Sequence, residues 1–397
     1  MRFLFTFAVA DYTGASRMGH QYIVGLRERG HEVRAILAPR RPDGQAALID
    51  VLKADGTECE EIDLFGFGRG IWNIRQLAEK IRRMHPDAVC SMNQGDVKTT
   101  GPAARLAQRP YVASVQNHRV FYGSTGSRWL KEFFYGAVMR SARRVVCVSE
   151  ATAREHAARF RVRSDRLVVV SNGVDVDACQ RRAQLADRAT VRAELGLPLE
   201  AFVFANTGRL SPQKGLDVLL EAMRSIAHPL DVPVHLLLIG PWDPAQPAYG
   251  ERLRELASSP ELSGRIHFLG WRNDIAEIHA ATDFYVHSAR WEGLPLAPFE
   301  AMACGRGAII TDCVGRPAGF RDGDQGWCVP KEDRTALAGA MLRVLQLDEK
   351  ERLQMGASAA SWVRENYSIL KVRRLYAQEL ETVGATKRQR TGNSDLR

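Results

Sequence analysis

The stretch FVFANTGRLSPQKGLD, residues 202–217, contains a short apolar run, a loop rich in turn-forming residues and the first residues of a helix. The run Phe202–Ala205 has the length and composition of a strand that is buried on both faces. An apolar stripe with helical spacing follows the loop and consists of Leu216, Leu219, Leu220, Met223 and Ile226. A buried strand, a loop and an amphipathic helix in this order form one building unit of a parallel α/β sheet.

The same alternation of apolar runs and amphipathic stretches extends through almost the whole chain. Strand candidates in the first half are Phe3–Ala10, Val33–Leu37, Ala88–Met92, Tyr111–Val115, Val145–Val148 and Leu167–Val170. Strand candidates in the second half are Phe202–Ala205, Val234–Ile239, Ile266–Leu269, Phe284–His287, Ala308–Thr311 and Trp327–Val329. Two sets of about six strands are more than one sheet usually holds. We therefore predict an α/β protein with two Rossmann-like, doubly wound domains.

The domain boundary is expected after the last strand of the first set, where the chain reads Asn172-Gly173-Val174-Asp175. Residues 1–174 would form the first domain and residues 175–365 the second. The polar, arginine-rich stretch 178–195 is interpreted as a connector.

The C-terminal part of the chain is predicted to be helical over residues 349–382. Its last part, residues 366–385, is expected to pack back on the first domain. Residues 386–397 form a basic tail with no apolar residue before Leu396, and we expect this tail to be disordered.

Composition excludes several classes of protein. Of the 397 residues, 45% are hydrophobic and 25% are charged, which is typical of soluble globular domains. No apolar run approaches the ~20 residues that a membrane-spanning helix needs. The seven cysteines include no Cys-x-x-Cys pair, which favours a reducing compartment over a zinc site. Phe3–Ala10 resembles a short signal peptide, but the loop and helix after it fit the same fold, so we expect a cytoplasmic protein.

The positive charge is concentrated in the first domain. Residues 1–174 carry 27 Lys and Arg against 17 Asp and Glu, whereas residues 175–397 carry 28 against 29. A net charge of +10 on one domain and −1 on the other indicates an anionic partner of the first domain, or a basic surface with no specific partner.

One helix candidate in the first domain is both aromatic and basic. It contains Arg128, Trp129, Lys131, Phe133, Phe134 and Tyr135, and Arg140, Arg143 and Arg144 follow. Such a helix either contacts an anionic membrane surface or covers the sheet with a solvated basic face. No nucleic-acid-binding motif is present, so we do not expect a nucleic acid as the partner.

Two loops in the second domain carry the residues best suited to bind a ligand. Arg209 and Lys214 lie on the loop that follows Phe202–Ala205, where two cations beside a helix N-terminus can hold a diphosphate. Glu292 and Glu300 flank the loop after Phe284–His287, and carboxylates accept hydrogen bonds from sugar hydroxyls. The alternatives are that Arg209 and Lys214 are solvated surface cations and that Glu300 only complements the dipole of its helix.

Several stretches together resemble a known family. Glu292 and Glu300 form a Glu-x7-Glu element around the sequence WEGLPL, residues 291–296, and this element resembles the signature of the retaining GT-B glycosyltransferases of family four. Similar stretches in the expected order are Val148-Ser149-Glu150, Asn172-Gly173-Val174-Asp175, Gly208-Arg209-Leu210, Lys214-Gly215 and Phe268-Leu269-Gly270-Trp271. The resemblance covers nearly the whole chain and implies the GT-B fold, with two Rossmann-like domains facing each other across a cleft.

The resemblance also implies roles for individual residues. The catalytic residues would be Arg209 and Lys214 at the diphosphate, Glu292 at the donor sugar, and His118. Glu300 would accept hydrogen bonds from the ribose. Further donor-binding residues would be Gly14, Gly240, Gly270, Trp271, Arg272, Gly293, Leu294, Pro295 and Leu296. The residues on the acceptor side would be Gln116, Asn117 and His118.

Three positions depart from the family pattern. The family often has a histidine directly after the strand Tyr111–Val115, where this chain has Gln116 and Asn117 and then His118. Ala15 replaces a second glycine beside Gly14. The family often has paired glycines and then a glutamate where this chain has the sequence CVGRPA, residues 313–318.

The resemblance implies transfer of a sugar from a nucleoside diphosphate sugar to an acceptor hydroxyl, with retention at the anomeric carbon. The acceptor would be a glycan or a lipid-linked molecule, in the synthesis of cell-surface glycan, lipopolysaccharide or glycolipid. No metal ion or other cofactor is expected. A nucleotide-sugar epimerase of the same fold and a non-catalytic nucleotide-sugar-binding protein are the alternatives.

Overall fold

The computed structural model describes residues 1–9, 11–12, 14–39, 47–63, 70–92, 95–117, 125–226, 233–314 and 317–392, and of residues 125–127 and 386–392 it describes the backbone alone. The chain forms two compact units. Unit 1 consists of Met1–Gly173 and Ile369–Arg397, and unit 2 of Val174–Ser368.

Unit 1 contains a parallel sheet with the strand order β3-β2-β1-β4-β5-β6-β7. The strands are β1 Arg2–Phe7, β2 Glu32–Leu37, β3 Glu58–Glu61, β4 Ala88–Ser91, β5 Tyr111–Val115, β6 Arg144–Cys147 and β7 Leu167–Val169. The helices are α1 Gly14–Glu28, α2 Leu48–Ala54, α3 Gly70–Met84, α4 Val97–Leu106, α5 Thr125–Ser141 and α6 Glu150–Phe160. The sequence analysis missed β3, because this strand lies at the edge of the sheet and reads ECEE.

Unit 2 contains a second parallel sheet with the strand order β10-β9-β8-β11-β12-β13. Its strands are β8 Phe202–Thr207, β9 Val234–Ile239, β10 Ile266–Gly270, β11 Phe284–His287, β12 Ala308–Thr311 and β13 Gly326–Val329. Its helices are α7 Val176–Leu185, α8 Arg188–Glu194, α9 Leu216–Ile226, α10 Pro247–Ala257, α11 Ile275–Ala281, α12 Ala297–Ala303, α13 Arg334–Gln346 and α14 Glu349–Tyr367.

The strand order shows where each sheet can bind a ligand. In unit 1 the direction of winding reverses between β1 and β4, and in unit 2 it reverses between β8 and β11. Ligands of doubly wound sheets bind beyond the carboxyl ends of the strands at such a switch point. The central strands β8, β9 and β11 are almost entirely buried, as their continuous apolar runs predict.

The C-terminal helix is not continuous with the helix before it. α14 ends at Tyr367, and a separate helix α15, Ile369–Gly392, belongs to unit 1. The prediction of one helix over residues 349–382 is therefore wrong, since Ser368 has an extended conformation with ψ 132°. The backbone of α15 also continues into the segment expected to be a disordered tail, and residues 393–397 lie outside the described residues.

α15 packs against α1 within unit 1. The rings of Tyr22 and Tyr376 stack in parallel with their centroids 3.7 Å apart. Glu381 accepts hydrogen bonds from the guanidinium of Arg29 at 2.7 and 2.8 Å. These contacts fasten the last helix to the first half of the chain.

The arginine-rich stretch 178–195 is not a mere connector. It lies on α7 and α8, and both helices pack against α11 in unit 2. Within this stretch Arg192 is only 1% exposed. Among the described residues, no helix is long and apolar enough to cross a membrane.

Candidate active site

The loop after β8 approaches the loop after β11 closely. Gly215 has φ +59°, and a Cβ at this position would lie 2.2 Å from the carbonyl oxygen of Ser288, so only glycine allows this approach. The hydroxyl of Ser288 donates a hydrogen bond to the Lys214 carbonyl at 2.8 Å. The two loops thereby bring the cation of one beside the carboxylate of the other.

Lys214 and Glu292 form an ion pair, with 2.5 Å between Nζ and Oε1. Both side chains are largely buried, at 16% and 10% exposure. The resemblance implies that Lys214 binds a diphosphate and Glu292 a sugar, and the structure pairs these two side chains with each other. The pair places both charges at the carboxyl edge of the sheet, beside the switch point between β8 and β11.

His287 lies behind this pair as the last residue of β11. Its Nε2 is 4.0 Å from the Glu292 carboxylate, and neither ring nitrogen has a hydrogen-bond partner among the described residues. Burial, and then the charge of Lys214, lower the pKa of His287 to about 3. The imidazole is therefore neutral at pH 7.

Arg290 braces the two loops. Its guanidinium donates to both carboxylate oxygens of Asp217 at 2.9 and 3.0 Å and to the Pro212 carbonyl at 2.7 Å. The hydrogen bond to Asp217 raises the pKa of Arg290 above its ordinary value. Gln213 adds a hydrogen bond from its Nε2 to the Trp291 carbonyl at 3.0 Å.

Glycines lie at the ends of the neighbouring strands β8, β9 and β10. Gly240 has φ 143°, and a Cβ there would lie 2.1 Å from the carbonyl oxygen of Gly208. The Gly240 N–H donates to the Gly270 carbonyl at 2.8 Å. Gly240 and Gly208 therefore meet through backbone atoms alone.

Other predicted donor residues occupy the same edge or its surroundings. Arg209 follows Gly208, is exposed, and has no side-chain hydrogen bond or ion pair with any residue that the structure describes. Trp271 is 42% exposed. Arg272 is engaged by Asp274, which leaves its backbone as the group available to a ligand.

The loop before α12 carries the remaining donor candidates of unit 2. Gly293 and Leu294 are buried, Pro295 and Leu296 are half-buried, and Pro298 lies in the first turn of α12. Glu300 lies in the first turn of α12 and is half-buried.

The predicted residues of unit 1 lie at the carboxyl edge of its own sheet. Gly14 is exposed and is the first residue of α1, and Gln116 and Asn117 follow β5. The Gln116 Oε1 is buried without a hydrogen-bond partner among the described residues. His118 lies outside the described residues, as do Gly315 and Arg316 of the divergent stretch in unit 2.

In the described part of the chain, no group of three or more His, Cys, Asp and Glu side chains is arranged to hold a metal ion. Lys214 and Glu292 form an ion pair at the switch point of unit 2, and Arg209 lies on the same loop as Lys214.

Two family profiles match the chain in succession. The profile described as Glycosyltransferase Family 4 matches residues 12–178, and the profile described as Glycosyl transferases group 1 matches residues 187–362. The chain belongs to the group 1 glycosyltransferases of family 4.

Curated relatives of this glycosyltransferase share its family. It is 27% identical over 277 residues to the Escherichia coli UDP-Gal:alpha-D-GlcNAc-diphosphoundecaprenol alpha-1,3-galactosyltransferase, with 68% of each chain covered. It is 29% identical over 258 residues to the D-inositol 3-phosphate glycosyltransferase of Streptomyces bingchenggensis (strain BCW-1). That match covers 63% of this chain, which spans 55% of the relative's length.

The solved structure of Anabaena Alr3699/HepE in complex with UDP and glucose has the same fold. The TM-score is 0.81 at 20% identity, and the match covers 96% of this chain and 100% of the other. The predicted fold class, GT-B with two Rossmann-like units, is confirmed.

The sequence analysis missed three residues of the site of this glycosyltransferase. Asp217 and Arg290 are far apart in the chain, and no local pattern signals that they pair. His287 ends an apolar strand, where a histidine is indistinguishable from a core residue. One signal was available for Arg290, since it stands two residues before Glu292 on the loop already singled out.

Proposed function

We propose that this glycosyltransferase moves a sugar from a nucleoside diphosphate sugar to an acceptor hydroxyl with retention at the anomeric carbon. The observation that carries the proposal is the Lys214–Glu292 pair at the switch point of unit 2, with the unpaired Arg209 beside it. The UDP-Gal substrate in the name of the Escherichia coli relative and the UDP bound to the Anabaena protein support a nucleoside diphosphate donor.

In the proposed mechanism the leaving diphosphate binds beside the loop after β8. Arg209 contributes a free guanidinium, and Lys214 turns from Glu292 to a phosphate oxygen, so that fixed positive charge meets the charge that develops as the glycosidic bond breaks. Glu292 then accepts hydrogen bonds from the hydroxyls of the donor sugar. Glu300 binds the ribose.

Retention is proposed to follow from front-side attack. The acceptor oxygen attacks the anomeric carbon on the face that the diphosphate leaves, and a phosphate oxygen of the leaving group takes the acceptor proton. In this proposal the Glu292 carboxylate orients the sugar and does not form a covalent bond with it. The charge of Arg209 and Lys214 replaces a divalent cation in this account.

The acceptor is proposed to be a glycan or a lipid-linked molecule at the inner face of a membrane. The first half of α5 exposes Trp129, Leu130, Phe133 and Phe134, which are 67%, 62%, 57% and 43% exposed. Arg140 donates to the Phe160 carbonyl and Arg144 pairs with Glu379, so two of the arginines expected to meet lipid are engaged within unit 1. The surface is therefore more apolar than the sequence predicts.

Incubation with a panel of nucleoside diphosphate sugars tests the proposal. A transferase hydrolyses its donor slowly without an acceptor, and the released sugar retains the anomeric configuration when observed by NMR at early times. Turnover should persist in the presence of a chelator. Epimerised nucleotide sugar would reveal an epimerase, binding without any turnover would reveal a binding protein, and turnover that stops in chelator and returns with magnesium would refute metal independence.

A further inference from the structure

Unit 2 has a cavity of about 800 Å³ at the end of the sheet opposite to the donor site. Phe202 and Val234, the first residues of β8 and β9, line it. β8 has six residues between this end and the donor loop, and its five steps of about 3.3 Å amount to roughly 16 Å. Neither Lys214 nor Glu292 lines the cavity.

The wall of the cavity contains three arginines, of which Arg192 is buried while the Arg188 side chain is 41% exposed. Asp283 is shared by two arginines, with Arg188 at 2.6 Å and Arg192 at 2.9 Å from its carboxylate oxygens. It also accepts a hydrogen bond from the Val203 N–H at 2.8 Å. This one carboxylate therefore accepts hydrogen bonds from two guanidiniums and one backbone N–H.

The third arginine, Arg306, is left without a partner. Its Nε is buried and has no hydrogen-bond partner, and the whole side chain makes no hydrogen bond or ion pair with the part of the chain that the structure describes. Burial, followed by the charge of Arg188, lowers the pKa of Arg306. A guanidinium that has no counter-ion and lies near two other guanidiniums destabilises the folded protein unless an anion binds there.

The rim of the cavity is closer to neutral. Arg352 lies half-buried, while Glu200 and Glu349 are exposed to solvent. Solvent screens the exposed carboxylates of the rim more than it screens the arginines of the wall. The excess positive charge is therefore concentrated in the wall. A cavity of this size holds a small organic molecule and not only a single ion.

We propose that this cavity binds a small phosphate-bearing molecule, with the guanidinium of Arg306 as its main contact and Arg188 as a second. Arginine suits this role because its planar donors match a phosphoryl group. The site is distinct from the donor site, and it lies at the far end of α12, which carries Glu300 in its first turn and ends three residues before Arg306.

Titration of the full-length chain with inorganic phosphate, at constant ionic strength in chloride buffer, tests the site. Isothermal titration calorimetry should show saturable binding by the wild-type chain. Arg306→Gln should raise the dissociation constant at least about tenfold, because a charge-assisted contact is lost. Arg188→Gln should raise it as well while Arg192 keeps Asp283 neutralised, so this variant serves if Arg306→Gln does not fold.

Two control variants locate the bound phosphate. Arg343→Gln removes an exposed arginine of α13 and should leave phosphate binding unchanged. Arg209→Ala removes the free arginine of the donor site, so it should abolish phosphate binding at that site only and leave the binding that depends on Arg306 in place. The proposal is overturned if the wild-type chain shows no saturable binding, if Arg306→Gln and Arg188→Gln bind like the wild type, or if only Arg209→Ala loses binding.

Discussion

Lys214 must exchange partners during the proposed reaction, because its ammonium forms an ion pair with Glu292. Arg209 has no such partner among the described residues. Arg209 and Lys214 were predicted from the sequence to have the same role, but their substitution should have different effects.

Arg209→Ala should weaken binding of a nucleoside diphosphate without affecting folding. Losing one charge-assisted contact costs about 1.5–3 kcal/mol, which corresponds to roughly 10- to 150-fold in the dissociation constant. Calorimetric titration gives the affinity, and the melting temperature should equal that of the wild type. Arg224→Ala, which removes an exposed arginine of α9, is the matched control. Unchanged diphosphate affinity in Arg209→Ala would remove this residue from the donor site.

Lys214→Ala should also lower stability. The substitution leaves the Glu292 carboxylate buried without its cation, at a cost of about 3 kcal/mol. The double variant Lys214→Ala/Glu292→Gln should recover much of the stability in urea denaturation but none of the diphosphate affinity. If the single variant is as stable as the wild type, the pair does not hold the two loops together.

The site residues show what local sequence can predict. The glycines, the basic loop after β8 and the Glu-x7-Glu spacing indicated the donor site, because each of these features lies within one short stretch of sequence. The Arg290–Asp217 contact could not be predicted, since it depends on two strand ends becoming neighbours in the sheet. For the same reason the sequence did not reveal that Lys214 and Glu292 bind each other.

At the scale of elements, the loop before α9 depends on a left-handed residue. Gly215→Ala should destabilise the protein by about 1–3 kcal/mol and abolish donor binding, because the new methyl group would meet the Ser288 carbonyl. Gly339→Ala on α13 is the control, since a Cβ there meets nothing within 4 Å and alanine favours the helix. A stable, active Gly215→Ala variant would contradict this account of the loop.

Helix α15 supplies a pH-dependent contact. Hydrogen bonds from Arg29 lower the pKa of Glu381 to about 2, below the value of about 4.3 in an unfolded chain. The contact therefore stabilises unit 1 fully above about pH 5 and loses its contribution as the pH falls from about 4 towards 2.

Glu381→Gln should accordingly be less stable than the wild type at pH 7, by up to about 1 kcal/mol because the pair is partly exposed. The difference should shrink as denaturation is measured at successively lower pH. Glu255→Gln, which changes an exposed glutamate of α10, should show no such trend. A pH-independent difference would mean that Glu381 acts through packing alone.

Strand prediction succeeded where burial on both faces leaves a continuous apolar run. Tyr111–Val115, Val234–Ile239, Phe284–His287 and Ala308–Thr311 have the predicted bounds. β3 escaped because an edge strand faces solvent and carries no such run. The break between the two helices at Ser368 was not predicted, because it depends on which unit each helix packs against and not on a helix-breaking residue.

At the scale of the whole molecule, the net charge of +10 over residues 1–174 and the exposed aromatic face of α5 belong to the same unit. We expect the protein to sediment with anionic vesicles at low salt and to be released as salt rises, since each basic residue near the surface adds about 1 kcal/mol. Neutral vesicles should retain it poorly.

The variant Trp129→Ala/Phe133→Ala should sediment with these vesicles much less than the wild type. Leu185→Ala removes an 87% exposed leucine from unit 2 and should make no difference. Equal sedimentation of the double variant would show that charge alone, and not α5, contacts the lipid. A wild-type chain that ignores anionic vesicles would favour a water-soluble acceptor.

The return of the chain to unit 1 at Ile369 has a consequence for biosynthesis. A ribosome completes every strand of unit 1 and then translates all of unit 2 before α15 emerges. At 5–20 residues per second this leaves the α1 surface around Tyr22 without its cover for about 10–40 s. Unit 2 is continuous in sequence and can fold during that interval, so the nascent chain finishes its second unit before its first and exposes an apolar surface on which a chaperone can act.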